Sequence, residues 1–147
     1  MINTQVISLI NSKDKTILYD LVDIINKHDI GKRLFLFAED IEINSVMFGY
    51  WKGKLKVKEI VYRIFHAFPN LFLKPVTVIF NGKGVVAAEM DFGGQYLAEF
   101  NGSPGMGNKF FVRGALIFNL NVSKKIVSIR SYYDLRLIYR QLEILKI

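Results

Sequence analysis

The sequence predicts an α+β domain in which helices pack on one face of a mostly antiparallel sheet. Three observations predict it: apolar residues recur at three- and four-residue intervals in the first half, alternate with period two in the second, and return to helical spacing at the end. The chain has 147 residues, of which 51% are hydrophobic, which suits one domain spanning 1–147 with a sizeable core.

The elements follow in order. Ile17, Leu18, Leu21, Val22, Ile24 and Ile25 form a helical stripe after Asp14, an acid suited to a helix N-terminus. After an interruption at His28-Asp29, a second helix is predicted over 30–38, carrying Leu34, Phe35 and Phe37. Residues 39–46 alternate around Ile41 and Ile43 as a first strand, and 48–53 is an aromatic, glycine-flanked loop. A third helix over 56–68 presents Val57, Ile60, Val61, Ile64, Phe65 and Phe68 on one face and stops at Pro69-Asn70. Strands are predicted over 72–80, 85–92, 109–121 and 126–133. The first two are joined by Asn81-Gly82-Lys83-Gly84 and the last two by Asn121-Val122-Ser123-Lys124. Residues 134–146 close the chain as an amphipathic helix bearing Leu135, Ile138, Leu142 and Leu145.

Composition narrows the function classes. With no cysteine, disulfides and thiolate metal sites are excluded. No run is long enough to cross a bilayer, and residues 1–11 lack the basic start and long apolar centre of a signal peptide, so a cytoplasmic location is expected. The net charge of +7 raises the question of nucleic acid. Lys52, Lys54, Lys56 and Lys58, however, alternate with Gly, Leu and Val, and no nucleic-acid motif accompanies them. The excess reads as a solvated, lysine-rich surface.

The order and spacing of several segments resemble the nuclear transport factor 2-like superfamily, and within it the SnoaL-like polyketide cyclases. The segments are Leu36-Phe37-Ala38-Glu39-Asp40, Trp51-Lys52-Gly53, Ala67-Phe68-Pro69-Asn70-Leu71, the loop from Gly102 to Lys109, and the ending from Lys125-Ile126 through Tyr133-Asp134 to Gln141-Leu142. The resemblance implies a cone-shaped domain: three N-terminal helices packed on a curved sheet, a C-terminal helix, an apolar pocket, and a homodimer formed through the sheet. It implies cofactor-independent cyclase, isomerase, dehydratase or hydrolase chemistry, or a binding module that has lost it. Fold membership leaves the chemistry open.

The family's catalytic signatures do not carry over. The acid on the last strand of the cyclases falls on Ser131, which has no useful ionisation near neutral pH, and the partner histidine falls on Ile117. The arginine and aspartate columns of the epoxide hydrolases fall on Glu89 and Asp91, and the isomerase base falls near Ser45. Asp134 begins the final helix and reads as its cap. His28 reads as an exposed connector and His66 as a packed or edge residue. No His/Asp/Glu grouping has metal-ligand spacing.

Strand parity then predicts a site. If position 131 faces the pocket, so do Ile129 and Tyr133, and the position-117 column adds Phe111, Arg113, Ala115 and Asn119. Glu89 and Asp91 join them from the earlier strand. Glu89 and Asp91 are the candidate acid/base pair, with repulsion and burial expected to raise at least one pKa and Arg113 opposing that shift. Phe48, Trp51, Arg113, Ile117, Ser131 and Tyr133 are the candidate substrate-binding residues for a small apolar, oxygenated molecule. The opposite face, with Val86, Ala88, Met90, Phe92, Phe110, Val112, Leu116, Phe118 and Leu120, is apolar and must be covered. Sheet-to-sheet dimerisation covers it in keeping with the family's parity. The alternative is that this face packs beneath the helices, leaving the carboxylates toward solvent.

Overall fold

The computed structural model describes residues 12–144. The alternation over 1–11 and the predicted last turn, with Leu145 and Lys146, lie outside the described residues. Helix α1 (Ser12–Lys27) leads to a 3-10 turn (Gly31–Leu36), strands β1 (Phe37–Ser45) and β2 (Gly49–Lys52), and helix α2 (Lys54–Ala67). Strands β3 (Phe72–Phe80), β4 (Val85–Gln95), β5 (Lys109–Leu120) and β6 (Ile126–Tyr132) precede helix α3 (Leu135–Leu142). The curled six-stranded sheet has the order β2-β1-β6-β5-β4-β3, antiparallel throughout except where β1 runs parallel to β6.

Three elements differ from the sequence expectation. The second helix tightens into a 3-10 turn and Phe37-Ala38 start β1, because Phe37 and Ala38 are buried against the core as strand residues. The aromatic loop contains β2, whose Trp51 pairs with Ile43. That strand is four residues long, too short to show an alternating pattern. His28, expected to be exposed, is half-buried: it adopts φ +52°, stacks on Phe65 at 4.6 Å, and places Nε2 3.0 Å from the Leu71 carbonyl.

The apolar strand faces and helix stripes meet in one layer. Ile17, Leu18, Leu21 and Ile24 of α1 pack with Val86, Ala88 and Met90 of β4, Phe118 of β5, and Ile126 and Ile129 of β6. A second lobe joins Ile60, Ile64 and Phe68, at the end of α2, to Phe92, Phe110 and Val112 of the sheet and Ile138 and Leu142 of α3. The face carrying Val86, Ala88, Met90 and Phe92 is therefore covered by this chain's own helices. This corrects the expectation that dimerisation covers it: an amphipathic helix supplies an apolar partner within the same chain.

Two asparagines set the hairpin turns in the same way. Asn81 Oδ1 accepts the N–H groups of Lys83 (2.8 Å) and Val85 (2.9 Å), and Asn121 Oδ1 accepts those of Ser123 and Lys125 (both 3.0 Å). Gly84 is required, since at φ +88° a Cβ would lie 2.9 Å from the Leu120 carbonyl oxygen. Past the reach of β6, α3 covers the edge of β5: Gln141 Oε1 accepts the Phe111 N–H at 2.7 Å, and its Nε2 donates to the Phe111 carbonyl at 3.1 Å. Asp134 caps α3, accepting the Leu137 N–H at 3.1 Å.

Phe118 is fully buried between the sheet and α1. Phe118→Ala is expected to lower unfolding stability by about 3–5 kcal/mol, and Asp134→Ala by about 1 kcal/mol, both read from urea denaturation.

Candidate functional site

The ladder decides which side chains share a face. Residues opposite one another project the same way: Leu116 pairs with Ser131, Met90 with Gly114, and Ser45 with Ser131. Ser131 therefore belongs to the helix-covered face with Phe92, Val112 and Leu116. Ile117 pairs with Arg130, Ala115 with Glu89, and Arg113 with Asp91, and these point to the outer face. The sequence reading that joined Glu89, Asp91, Arg113 and Ile117 to Ser131 and Tyr133 is corrected. It was one residue out between β5 and β6, and a one-residue slip in a period-two element reverses every side chain.

The helix-covered face holds a small hollow, walled by Leu73, Met90, Phe92, Leu116, Ser131 and Tyr133 with Gly114 and Ala115 of β5. Gly114 makes the arrangement possible. A Cβ there would stand 2.5 Å from the Tyr132 carbonyl oxygen and 2.8 Å from Tyr133 Cβ, so the chain leaving β6 passes over β5 only at glycine. Tyr133 then lies with its ring 5.4 Å from that of Phe92.

Its hydroxyl joins a compact polar group. Ser45, buried at the end of β1, has Oγ 2.8 Å from the Tyr133 hydroxyl. The Met47 N–H donates to both oxygens, each at 3.3 Å, and the Phe48 N–H donates to Ser45 Oγ at 3.2 Å. Burial pushes the Tyr133 pKa above its usual 10.0, opposed by hydrogen bonding from Ser45, the Met47 amide and Ser131. The phenol is thus protonated at neutral pH. Sequence reasoning reached Ser45 only as the residue near which the isomerase base falls; its meeting with Ser131 and Tyr133 comes through the β1–β6 register, a non-local pairing. Its sequence signal was its place at the end of an alternating strand.

Phe48 and Trp51 frame the neighbouring lobe rather than this hollow. Phe48 meets Phe68 and Phe100 edge-on, and Trp51 Nε1 donates to the Phe48 carbonyl at 2.7 Å, fixing the β1–β2 turn. A second, larger cavity lies there, lined by Met47, Phe68, Tyr96, Phe100, Ser103 and Tyr139 among others.

On the outer face Asp91 and Arg113 form a two-pronged ion pair, Nε to Oδ1 at 2.8 Å and Nη2 to Oδ2 at 3.3 Å. Hydrogen bonding from Arg113 holds the Asp91 pKa below its usual 3.8 despite desolvation, helped by the charges of Arg113 and Lys74. The expected upward shift is thus absent at Asp91, because the guanidinium outweighs burial. Exposed Glu89 accepts the Thr77 hydroxyl at 3.2 Å. His66 is exposed on α2. Among the described residues no three His, Asp or Glu side chains are grouped to hold a metal ion, and no helix is long and apolar enough to cross a membrane.

The sequence profile of the SnoaL-like polyketide cyclases matches residues 15–142. The chain belongs to this family. No curated protein sequence matches the SnoaL-like chain. Its fold is similar to that of a protein from Xanthomonas campestris pv. campestris assigned to the polyketide cyclases (TM-score 0.80, 18% identity, 90% of this chain and 98% of that one). It is also similar to one from Jannaschia sp. CCS1 assigned as a SnoaL-like polyketide cyclase (0.79, 17%, 92% and 94%). A third is AclR from Streptomyces galilaeus, assigned as a hydroxylase (0.74, 18%, 92% and 98%). At such identities the likeness establishes the shared nuclear transport factor 2-like fold.

The ion pair makes a pH prediction for this SnoaL-like protein. A carboxylate whose folded pKa is depressed contributes stability above its unfolded pKa and loses it as pH falls through the folded value. Thermal stability of the wild type should therefore fall as pH drops below 3.8, and Asp91→Asn should flatten that acid limb.

Proposed function

We propose that this SnoaL-like protein binds a small apolar, oxygenated molecule in the hollow beside Ser131 and Tyr133, without using a carboxylate for acid/base chemistry. One observation carries the reading: the hollow is walled by Leu73, Met90, Phe92 and Leu116, and its polar side chains are the hydroxyls of Ser131 and Tyr133, with no carboxyl or imidazole among its walls. Ser131 occupies the position at which the resemblance puts the cyclases' acid. Asp91 and Glu89 point to the outer face, across the sheet from that hollow. Apolar walls with few polar groups suit a compact neutral ligand, for which burial supplies affinity and a hydroxyl supplies orientation.

The same proposal assigns the outer sheet face to a homodimer. Ile79 and Phe111 are exposed there, beside the half-buried Ile117 and near the charges of Asp91, Arg113 and Glu89. A two-fold contact would set apolar groups against their own copies and allow each acid to face an arginine.

A native mass spectrum of the purified protein tests both parts. The expected species is a dimer carrying a small molecule that is recovered chemically unchanged. Leu116→Trp, which fills the hollow, should abolish retention, and Ile79→Glu should shift the protein to monomer. A product formed from the retained molecule, and lost in Asp91→Asn, would sink the non-catalytic reading.

A further inference from the structure

We propose that Asn101-Gly102 is a self-modification site, at which Glu99 and Arg63 drive the Gly102 nitrogen onto the Asn101 side chain and convert that residue to aspartate or isoaspartate with loss of ammonia.

The pair forms the tip of the tight turn from Phe100 to Ser103. Asn101 (φ +52°) and Gly102 (φ +81°) both hold the positive φ that such a turn requires. The ends of the turn are fixed. Phe100 and Ser103 exchange N–H···O bonds of 3.0 and 3.1 Å, and the Tyr96 hydroxyl accepts the Phe100 N–H at 3.1 Å while donating to the Ser103 carbonyl. The tip is free of packing, since Asn101 and Gly102 are exposed and a Cβ on Gly102 would meet nothing within 4 Å. Two side chains engage the reacting atoms. Glu99 Oε1 accepts the Gly102 N–H, and Arg63 Nη2 donates to Asn101 Oδ1 at 2.9 Å. Arg63 is held over the turn by the Phe100 ring, 5.4 Å from its guanidinium carbon.

These are the contacts that ring closure needs. A backbone amide is a poor nucleophile until a base takes its proton, and the Glu99 carboxylate is hydrogen-bonded to that proton. Attack on Asn101 Cγ places negative charge on Oδ1, where the Arg63 guanidinium already donates. The N–Cγ bond forms as the proton passes to Glu99 and the carbonyl electron pair moves onto Oδ1. That pair then re-forms the carbonyl and breaks the Cγ–Nδ2 bond, and Nδ2 takes the proton from Glu99 and leaves as ammonia. Water, the co-reactant, opens the five-membered imide at either carbonyl to give aspartate or isoaspartate. Nucleophile and electrophile belong to one dipeptide, so closure carries no cost of bringing two molecules together.

The chain carries the same dipeptide at Asn81-Gly82 without this equipment. There Oδ1 accepts the N–H groups of Lys83 and Val85, which fix the carboxamide in its turn, and among the described residues no carboxylate accepts the Gly82 N–H. At the Asn101 site an isoaspartate adds a methylene to the backbone between Phe100 and Ser103, so their paired hydrogen bonds cannot both survive. Asn101 and Ser103 line the second cavity, and its mouth widens as the turn loosens.

The purified full chain, aged at neutral pH and followed by peptide mass spectrometry, tests the assignment with Asn81 as a reference in the same molecule. Asn101 is expected to deamidate at least about tenfold faster than Asn81, less than a positioned base usually yields because the site is exposed. Glu99→Gln should remove most of that excess and make the remaining rate rise in proportion to hydroxide, whereas the wild-type rate rises less steeply. Arg63→Ala should also slow Asn101, and Arg63→Lys should recover part of the loss. Asn81 should react at its wild-type rate in all three variants, which reports an intact fold. Unfolding in urea should abolish the difference between the two sites. Equal rates at Asn101 and Asn81 in the native protein, or an Asn101 rate that Glu99→Gln leaves unaltered, would overturn the assignment.

Discussion

Once Phe118 stands opposite Val86 on one side and Ile129 on the other, the facing of every residue in the central strands is settled. The ladder between β4 and β5 runs from Val85 opposite Asn119 to Gln95 opposite Lys109 without a break. It leaves no room for a local change of face. The α1 stripe of Ile17, Leu18, Leu21 and Ile24 then has one place to bury itself. The same parity puts Ser131 under the helices and Asp91 outside. Core and site are thus two readings of one pairing, and a residue cannot be moved between them without dismantling the hydrophobic layer.

Much of this was legible in the sequence because its signals are local. The α1 stripe, the α2 stripe and the two asparagine turns each announce themselves within a dozen residues. The alternation Val86, Ala88, Met90, Phe92 identified an apolar face. What alternation could not supply is the partner of that face, since helices of the same chain and a second copy satisfy it equally well. The relative register of β5 and β6 was likewise hidden. It depends on the turn around Asn121 and on the shift between Asn119 and Leu120, an irregularity that period-two counting does not foresee. The contact of Ser45 with Tyr133 was hidden for a related reason, as it joins residues 88 positions apart through the parallel pairing of β1 with β6.

The two polar constellations obey different electrostatic rules. Asp91 and Arg113 lie where the guanidinium is more than half exposed, so their attraction is screened and the charges persist. Ser45, Ser131 and Tyr133 sit among apolar groups, where an ionised side chain would be costly and neutral hydroxyls satisfy one another. A serine at position 131 suits an environment in which charge is excluded.

The clasp of Gln141 on both backbone groups of Phe111 has a consequence for how the molecule meets its own kind. A carboxamide presents an acceptor and a donor in the spacing of a peptide unit, so α3 imitates one residue of a further strand along the bare stretch of β5. A neighbouring chain finds no free backbone there to pair with. At the far margin, β3 carries Pro75, which lacks a donor, next to a register shift and the charge of Lys74. Both places discourage edge-to-edge growth into fibres.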